Sequence, residues 1–282
     1  MSYDDLYCLL CDFSKKCLEM DRFYKTSRWI GIDISFEEVF IGFLSDSVPD
    51  VICYDKGYTY EQSLVGANQF ARDLVKVRRI EKEKQLDESH EVENILQAVI
   101  GISETYSNEA KLEIVENTKK AFFFNNVLLL YKTYAAAIAK YWNEKNTAEK
   151  TIASCIFREK SFGVSIITIK DGAFYIKNRG GIEGILDNYA VKDICLETIR
   201  QIDLKIIDEV LIVGQEDYVT KDKPLIKAIR RAFRKLFEGE CKYIRGHENL
   251  VAKGLALYGN TLTEQATILF EIPQESGDCN ER

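Results

Sequence analysis

The chain has 282 residues, 46% of them hydrophobic and 29% charged, with a net charge of −7. That length supports one large or two medium domains with true cores, and the composition is that of a globular protein. The acidic balance excludes a general nucleic-acid binder while leaving room for a local basic patch, and no apolar run reaches membrane-spanning length. With no signal-peptide layout at the N-terminus, the expectation is a cytoplasmic protein that engages neither nucleic acid nor membrane.

The first segment, 4–18, has Leu6, Leu9, Leu10, Phe13 and Cys17 at helical spacing. Its Cys8-x-x-Cys11 pair invites a metal, but a zinc knuckle needs a second ligand pair, and the two histidines are His90 and His247. The eight cysteines (Cys8, Cys11, Cys17, Cys53, Cys155, Cys195, Cys241 and Cys279) are expected as reduced thiols, those of the first helix packing as small hydrophobes. Next, 29–44 reads as a strand, tight turn and returning strand, with Asp33 at the turn. A short strand at 50–54 follows, then a helix at 60–84 whose charged end, 78–84, is a solvated face. The apolar, β-branched 95–102 predicts a buried strand. Ser107 and Asn108 are cap residues for a helix through Ala121. A strand at 126–131 leads into an alanine-rich helix at 133–142, where Ala135-Ala136-Ala137 lets the helix approach a neighbour closely. Polar 143–150 is the candidate lobe boundary.

The second half repeats the plan. Segments 151–157, 163–170 and 173–178 read as a three-strand meander with Asp171-Gly172 as a hairpin turn. A helix at 187–202, a strand at 209–213, a helix at 223–237, a strand at 242–245 and a helix at 248–258 complete it, with a last strand at 267–272. Each half starts with a hairpin and continues with alternating helices and strands, which predicts two similar α/β lobes, each with a mixed sheet.

Four segments resemble, in order, the nucleotide-binding domain of the heat shock protein 70 (DnaK-type) chaperones. The first is Gly31-Ile32-Asp33-Ile34-Ser35-Phe36-Glu37, where the family has G-I-D-L-G-T-T. The second combines Gln97-Ala98-Val99-Ile100-Gly101-Ile102 with Asn125-Asn126-Val127-Leu128-Leu129-Leu130 and Ala135-Ala136-Ala137-Ile138-Ala139. The third is the run Ser161-Phe162-Gly163-Val164-Ser165-Ile166-Ile167-Thr168-Ile169-Lys170-Asp171-Gly172. The fourth is Glu209-Val210-Leu211-Ile212-Val213-Gly214 with Glu248-Asn249-Leu250-Val251-Ala252-Lys253-Gly254. The resemblance covers about 28 to 259. It implies an α/β fold of two actin-like ATPase (ribonuclease H-like) lobes, each a mixed sheet with flanking helices: 28–146 and 147–262, preceded by the N-terminal helix 1–27 and followed by a strand and tail, 263–282. The intervals from Phe43 to Leu96 and from Gly172 to Glu209 are much shorter than in the family, so outer subdomains are expected to be reduced or absent. Segment 267–273 resembles the apolar linker after the family's nucleotide domain, or is a final edge strand; no peptide-binding domain is expected beyond it.

The resemblance implies ATP or ADP with magnesium as cofactor. It implies Asp33, Ser35, Lys132, Ser161, Gly214 and Gly254 as nucleotide-binding positions, and Asp33 as the metal ligand. The departures cut against catalysis. Ser35, Phe36 and Glu37 stand where a glycine and two threonines cradle phosphate. Ile156-Phe157-Arg158-Glu159-Lys160 replaces the second, glycine-rich loop and its acid. Lys132 replaces a glutamate, Gln215 and Glu216 replace a glycine and serine, and no residue matches the catalytic lysine. Lys132, Arg158 and Lys160 are expected near the interlobe cleft, either contacting phosphate without magnesium or salt-bridged to Glu37 or Glu159. Three functions follow. One is a catalytically degenerate module acting through protein partners, such as a chaperone network or its clients. Another is an ATP-binding ATPase with atypical loops. The third is a different member of the superfold, sugar-kinase-like or filament-forming.

Overall fold

The computed structural model describes residues 29–34, 39–45, 48–54, 97–122, 126–144, 148–158, 161–184, 186–202, 206–214, 224–236 and 241–263. The expected helices at 4–18 and 60–84 and the expected strand at 267–272 lie outside the described residues. In chain order the elements are β1 (Trp29–Ile34), β2 (Val39–Ser45), β3 (Val48–Tyr54), β4 (Gln97–Ile102), α1 (Asn108–Phe122), β5 (Asn126–Tyr131) and α2 (Lys132–Tyr141), closed by a 3-10 turn at Trp142–Glu144. Then come β6 (Lys150–Arg158), β7 (Ser161–Lys170), β8 (Ala173–Glu183), α3 (Asn188–Arg200), β9 (Glu209–Val213), α4 (Pro224–Leu236), β10 (Lys242–Gly246) and α5 (Leu250–Thr263).

The fold is α/β with two five-stranded mixed sheets, ordered β3-β2-β1-β4-β5 and β10-β9-β6-β7-β8. Both follow one plan. An antiparallel meander (β1-β2-β3; β6-β7-β8) is extended on the other side of its first strand by two parallel strands. The β7–β8 turn has Asp171 and Gly172 at φ 51° and 80°, the left-handed pair that a two-residue hairpin requires. β8 runs five residues past the expected end at 178, because it pairs with β7 down to Ser161↔Glu183; Lys177, skipped between Ile166↔Asn178 and Ile167↔Ile176, makes a bulge in β8.

Strands β6 and β7 are buried almost throughout, because both faces of the second sheet are covered. Ile152 and Ile156 face one core with α2, whereas Ala153, Cys155 and Phe157 face another with α3 and α4. Cys155 and Cys195 are free thiols in that second core, as small hydrophobes, and Cys241 is free and half-buried.

Helices α2 and α5 cross between the sheets and pack reciprocally. α5, from the second half, lies on β1, β2 and β4, while α2, from the first half, packs on β6 and β7. Glycines make the approach possible, Gly42 and Gly254 most tightly. A Cβ on Gly42 would fall 2.0 Å from the Ala252 carbonyl oxygen, and one on Gly254 would fall 1.8 Å from that of Ala135. Ala135-Ala136-Ala137 are fully buried at the crossing, as the triple alanine implied. Gly254→Ala is therefore expected to destabilise by about 1–3 kcal/mol in urea unfolding, although alanine is the better helix former. Unchanged or raised stability would show that the crossing tolerates a methyl group.

Candidate functional site

The C-terminal end of β1 and the end of β6 meet between the two halves. Asp33 is an inner-facing residue of β1 with no exposed surface, although an aspartate is rarely buried unless partnered. Both its oxygens are held. Lys132 Nζ lies 2.9 Å from Oδ1, and Arg158 Nη2 donates to Oδ2 at 2.5 Å. Arg158 Nη1 is in turn 3.7 Å from Glu248 Oε2, just ahead of α5. Two anions and two cations thus form a balanced chain: Lys132–Asp33 within the first half, Arg158–Glu248 within the second, and Asp33–Arg158 across the halves.

Burial by itself would raise the Asp33 pKa. The positive charges of Arg158 and then Lys132, with their hydrogen bonds, outweigh it and hold the carboxyl below its ordinary value. For Lys132 burial dominates: it depresses the ammonium, Asp33 pulls it back and Arg158 opposes, leaving the net shift downward. Lys132 is also the first residue of α2, where the helix dipole repels a cation. Asp33 offsets that repulsion.

Beside this chain lies a polar network that the sequence did not flag. Glu104, in the loop after β4, caps α2 from a distance. Its Oε1 accepts from the Thr133 amide at 3.1 Å and from Thr133 Oγ1 at 2.5 Å. Thr133 Oγ1 also bonds Ser165 Oγ at 2.6 Å, and Ser154 donates to the Thr133 carbonyl at 2.7 Å. Gly163 makes the space, since a Cβ there would sit 2.0 Å from Glu104 Oε2. Burial raises the Glu104 pKa, against the hydrogen bonds of Thr133 and the charge of Lys132. Two contacts fasten this loop and strand to the second sheet: Thr105 donates to Glu183, and Arg179 stacks on the Tyr131 ring at 4.2 Å. At its far end α2 is tied by Tyr141, which donates to Glu209 at 2.7 Å.

Of the expected nucleotide positions, Asp33 and Lys132 come together. Ser161 is half-buried and lies opposite Arg158 and Glu183 in the sheet. Gly214 is buried just past β9, and Gly254 is buried at the helix crossing, where packing alone demands a glycine. Ser35, Glu37, Glu159 and Lys160 lie outside the described residues. Among the described residues Lys132 and Arg158 make ion pairs with Asp33, and Arg158 a longer one with Glu248; the expected pairing with Glu37 or Glu159 lies outside them. Ile156 is buried in the core. Among the described residues no three His, Cys, Asp or Glu side chains gather as metal ligands, and no helix is long and apolar enough to cross a membrane. A magnesium ion on Asp33 has to displace two cations already seated there. Arg158 Nε and Nη1 are buried without a hydrogen-bond partner among the described residues, so this guanidinium has donors to spare for an anion. No protein-family model matches the chain.

Two substitutions test this geometry. Asp33→Asn removes the anion that both Lys132 and Arg158 contact in the buried ion chain and is expected to lower stability by about 3–5 kcal/mol in urea unfolding; a loss below about 1 kcal/mol would contradict the clamp. Glu104→Gln keeps an acceptor for Thr133 and removes the titration. With a folded pKa above the ordinary 4.5, Glu104 contributes stability that is present at low pH and lost as pH rises through its folded value. The variant's stability relative to wild type is therefore expected to increase from pH 4 toward pH 7. A difference that stays flat or falls with pH would contradict the raised pKa.

Proposed function

We propose that the chain is a divergent heat shock protein 70-like nucleotide-binding-domain module, catalytically degenerate, that acts through protein interactions. The observation that carries this reading is the internal neutralisation of Asp33. Its carboxylate is fully buried, and its oxygens are engaged by Lys132 and Arg158, cations of the chain itself, at the position where the resemblance puts metal and phosphate. The repeated strand order of the two sheets and the reciprocal packing of α2 and α5 support two actin-like lobes. So does the order of the four resembling segments. The survival of dense packing beside altered phosphate loops supports selection for the scaffold rather than for hydrolysis. Protein partners, such as a chaperone network or its clients, remain the partner class that this reading favours.

A second reading rests on Arg158. Its spare donors, next to Lys132, suit direct contact with phosphate, so an ATP-binding protein with atypical loops is the alternative. Thermal unfolding with millimolar ATP or ADP separates the two. Ligand at a hundredfold excess over its dissociation constant stabilises by about 2.7 kcal/mol. No shift, with or without magnesium, is expected for the degenerate module. A magnesium-dependent shift would overturn it, as would sustained ATP turnover that Asp33→Ala abolishes. A shift independent of magnesium that Arg158→Gln removes would establish the second reading.

A further inference from the structure

On the face of the second sheet opposite α2, α4 buries Ile226, Ile229 and Phe233 against β6, β9 and α3. It turns Lys227, Arg231, Arg234 and Lys235 to solvent, and no acid occurs anywhere in its sequence, PLIKAIRRAFRKL. None of these four cations has an ion-pair or hydrogen-bond partner among the described residues. At the margin Arg230 lies over the Tyr243 ring at 4.9 Å, and its Nε and the Tyr243 hydroxyl are buried without hydrogen-bond partners among the described residues. Tyr243 belongs to β10, the edge strand of the sheet, which adds the exposed Arg245.

We propose that this basic face of α4 is a docking surface for a short acidic segment of a partner protein. Charge complementarity selects the occupant. The stripe from Lys227 to Lys235 is about 12 Å long, little more than the ~8 Å over which charges act at physiological salt. The chain as a whole carries −7, so a nucleic-acid duplex or an anionic membrane extends past the stripe into a repulsive field. A short peptide stays within it. The outward face also lacks the large apolar side chains that anchor an interfacial helix in lipid. Arg231 and Arg234 supply planar forks that match carboxylates two bonds at a time. The proposal deepens the protein-binding reading by naming a partner chemistry, yet it uses a surface on the other side of the sheet from the Asp33 chain.

The test is fluorescence anisotropy of a fluorescein-labelled peptide of alternating Glu and Ser, titrated with the full chain and with its R231E/R234E and K177E variants. Lys177 is an exposed residue of β8, at the opposite edge of the sheet from β10. Saturable binding is expected, weakened about tenfold or more by R231E/R234E and by added salt, and unchanged by K177E. Melting temperatures of the variants report that they fold. No binding by wild type, equal affinity in R231E/R234E, or tighter binding of a DNA duplex or of phosphatidylserine vesicles at matched charge would overturn the proposal. The nucleotide titrations read the cleft separately. Peptide binding at α4 together with a magnesium-dependent ATP shift sinks the degenerate reading and keeps the docking surface; the converse pair of results does the opposite.

Discussion

A carboxylate removed from water has to be neutralised, and the arrangement of the two halves around Asp33 is the consequence. The desolvation cost of Asp33 is offset only because Arg158, from the other half, and Lys132, at the start of α2, both reach it. Their positions require β1 and β6 to end side by side and α2 to begin at that junction. Arg158 then needs its own second anion, which Glu248 supplies from the segment leading into α5. The ion chain thus marks where each half places its first strand and its last helix.

The helix crossing reinforces this geometry. α5 lies on the first sheet and α2 on the second, so neither half has a complete core without the other. Gly42 and Gly254 let backbone meet backbone, and α2 is held along its length: by Glu104 at Thr133, by the Phe174 carbonyl at Tyr134, and by Glu209 at Tyr141. Any rotation of one half against the other has to break Asp33–Arg158 and release Thr105 from Glu183 and Arg179 from Tyr131. An interlobe cleft that opens for a nucleotide works against all three.

Element positions were largely legible, because periodicity and turn chemistry are local. The β1–β2 hairpin, the Asp171-Gly172 turn, the helix beginning near Asp187 and the alanine-rich α2 all follow from neighbouring residues. The extra length of β8 was not legible, since pairing along the whole of β7, from Ser161 to Lys170, sets it. At the site, Asp33, Lys132 and Arg158 were singled out one by one, but their pairing was not, because Asp33 and Arg158 meet across 125 positions of sequence. Glu104 left less signal: a lone acid after a buried strand reads as a loop residue. Only the fold shows that Gly163 clears a space for it beside Thr133. Gly254 packs against the Ala135 backbone, a purpose the sequence leaves ambiguous, since a glycine that admits a helix and a glycine that admits a nucleotide look alike in sequence.

The central claim is that Asp33 is committed to the chain's own cations. A crystal structure grown with millimolar magnesium and a non-hydrolysable ATP analogue tests it most directly. The expected result is Asp33 still paired to Lys132 and Arg158, with neither magnesium nor phosphate between the sheets. Magnesium on Asp33, with Lys132 and Arg158 turned onto the analogue's phosphates, would contradict it.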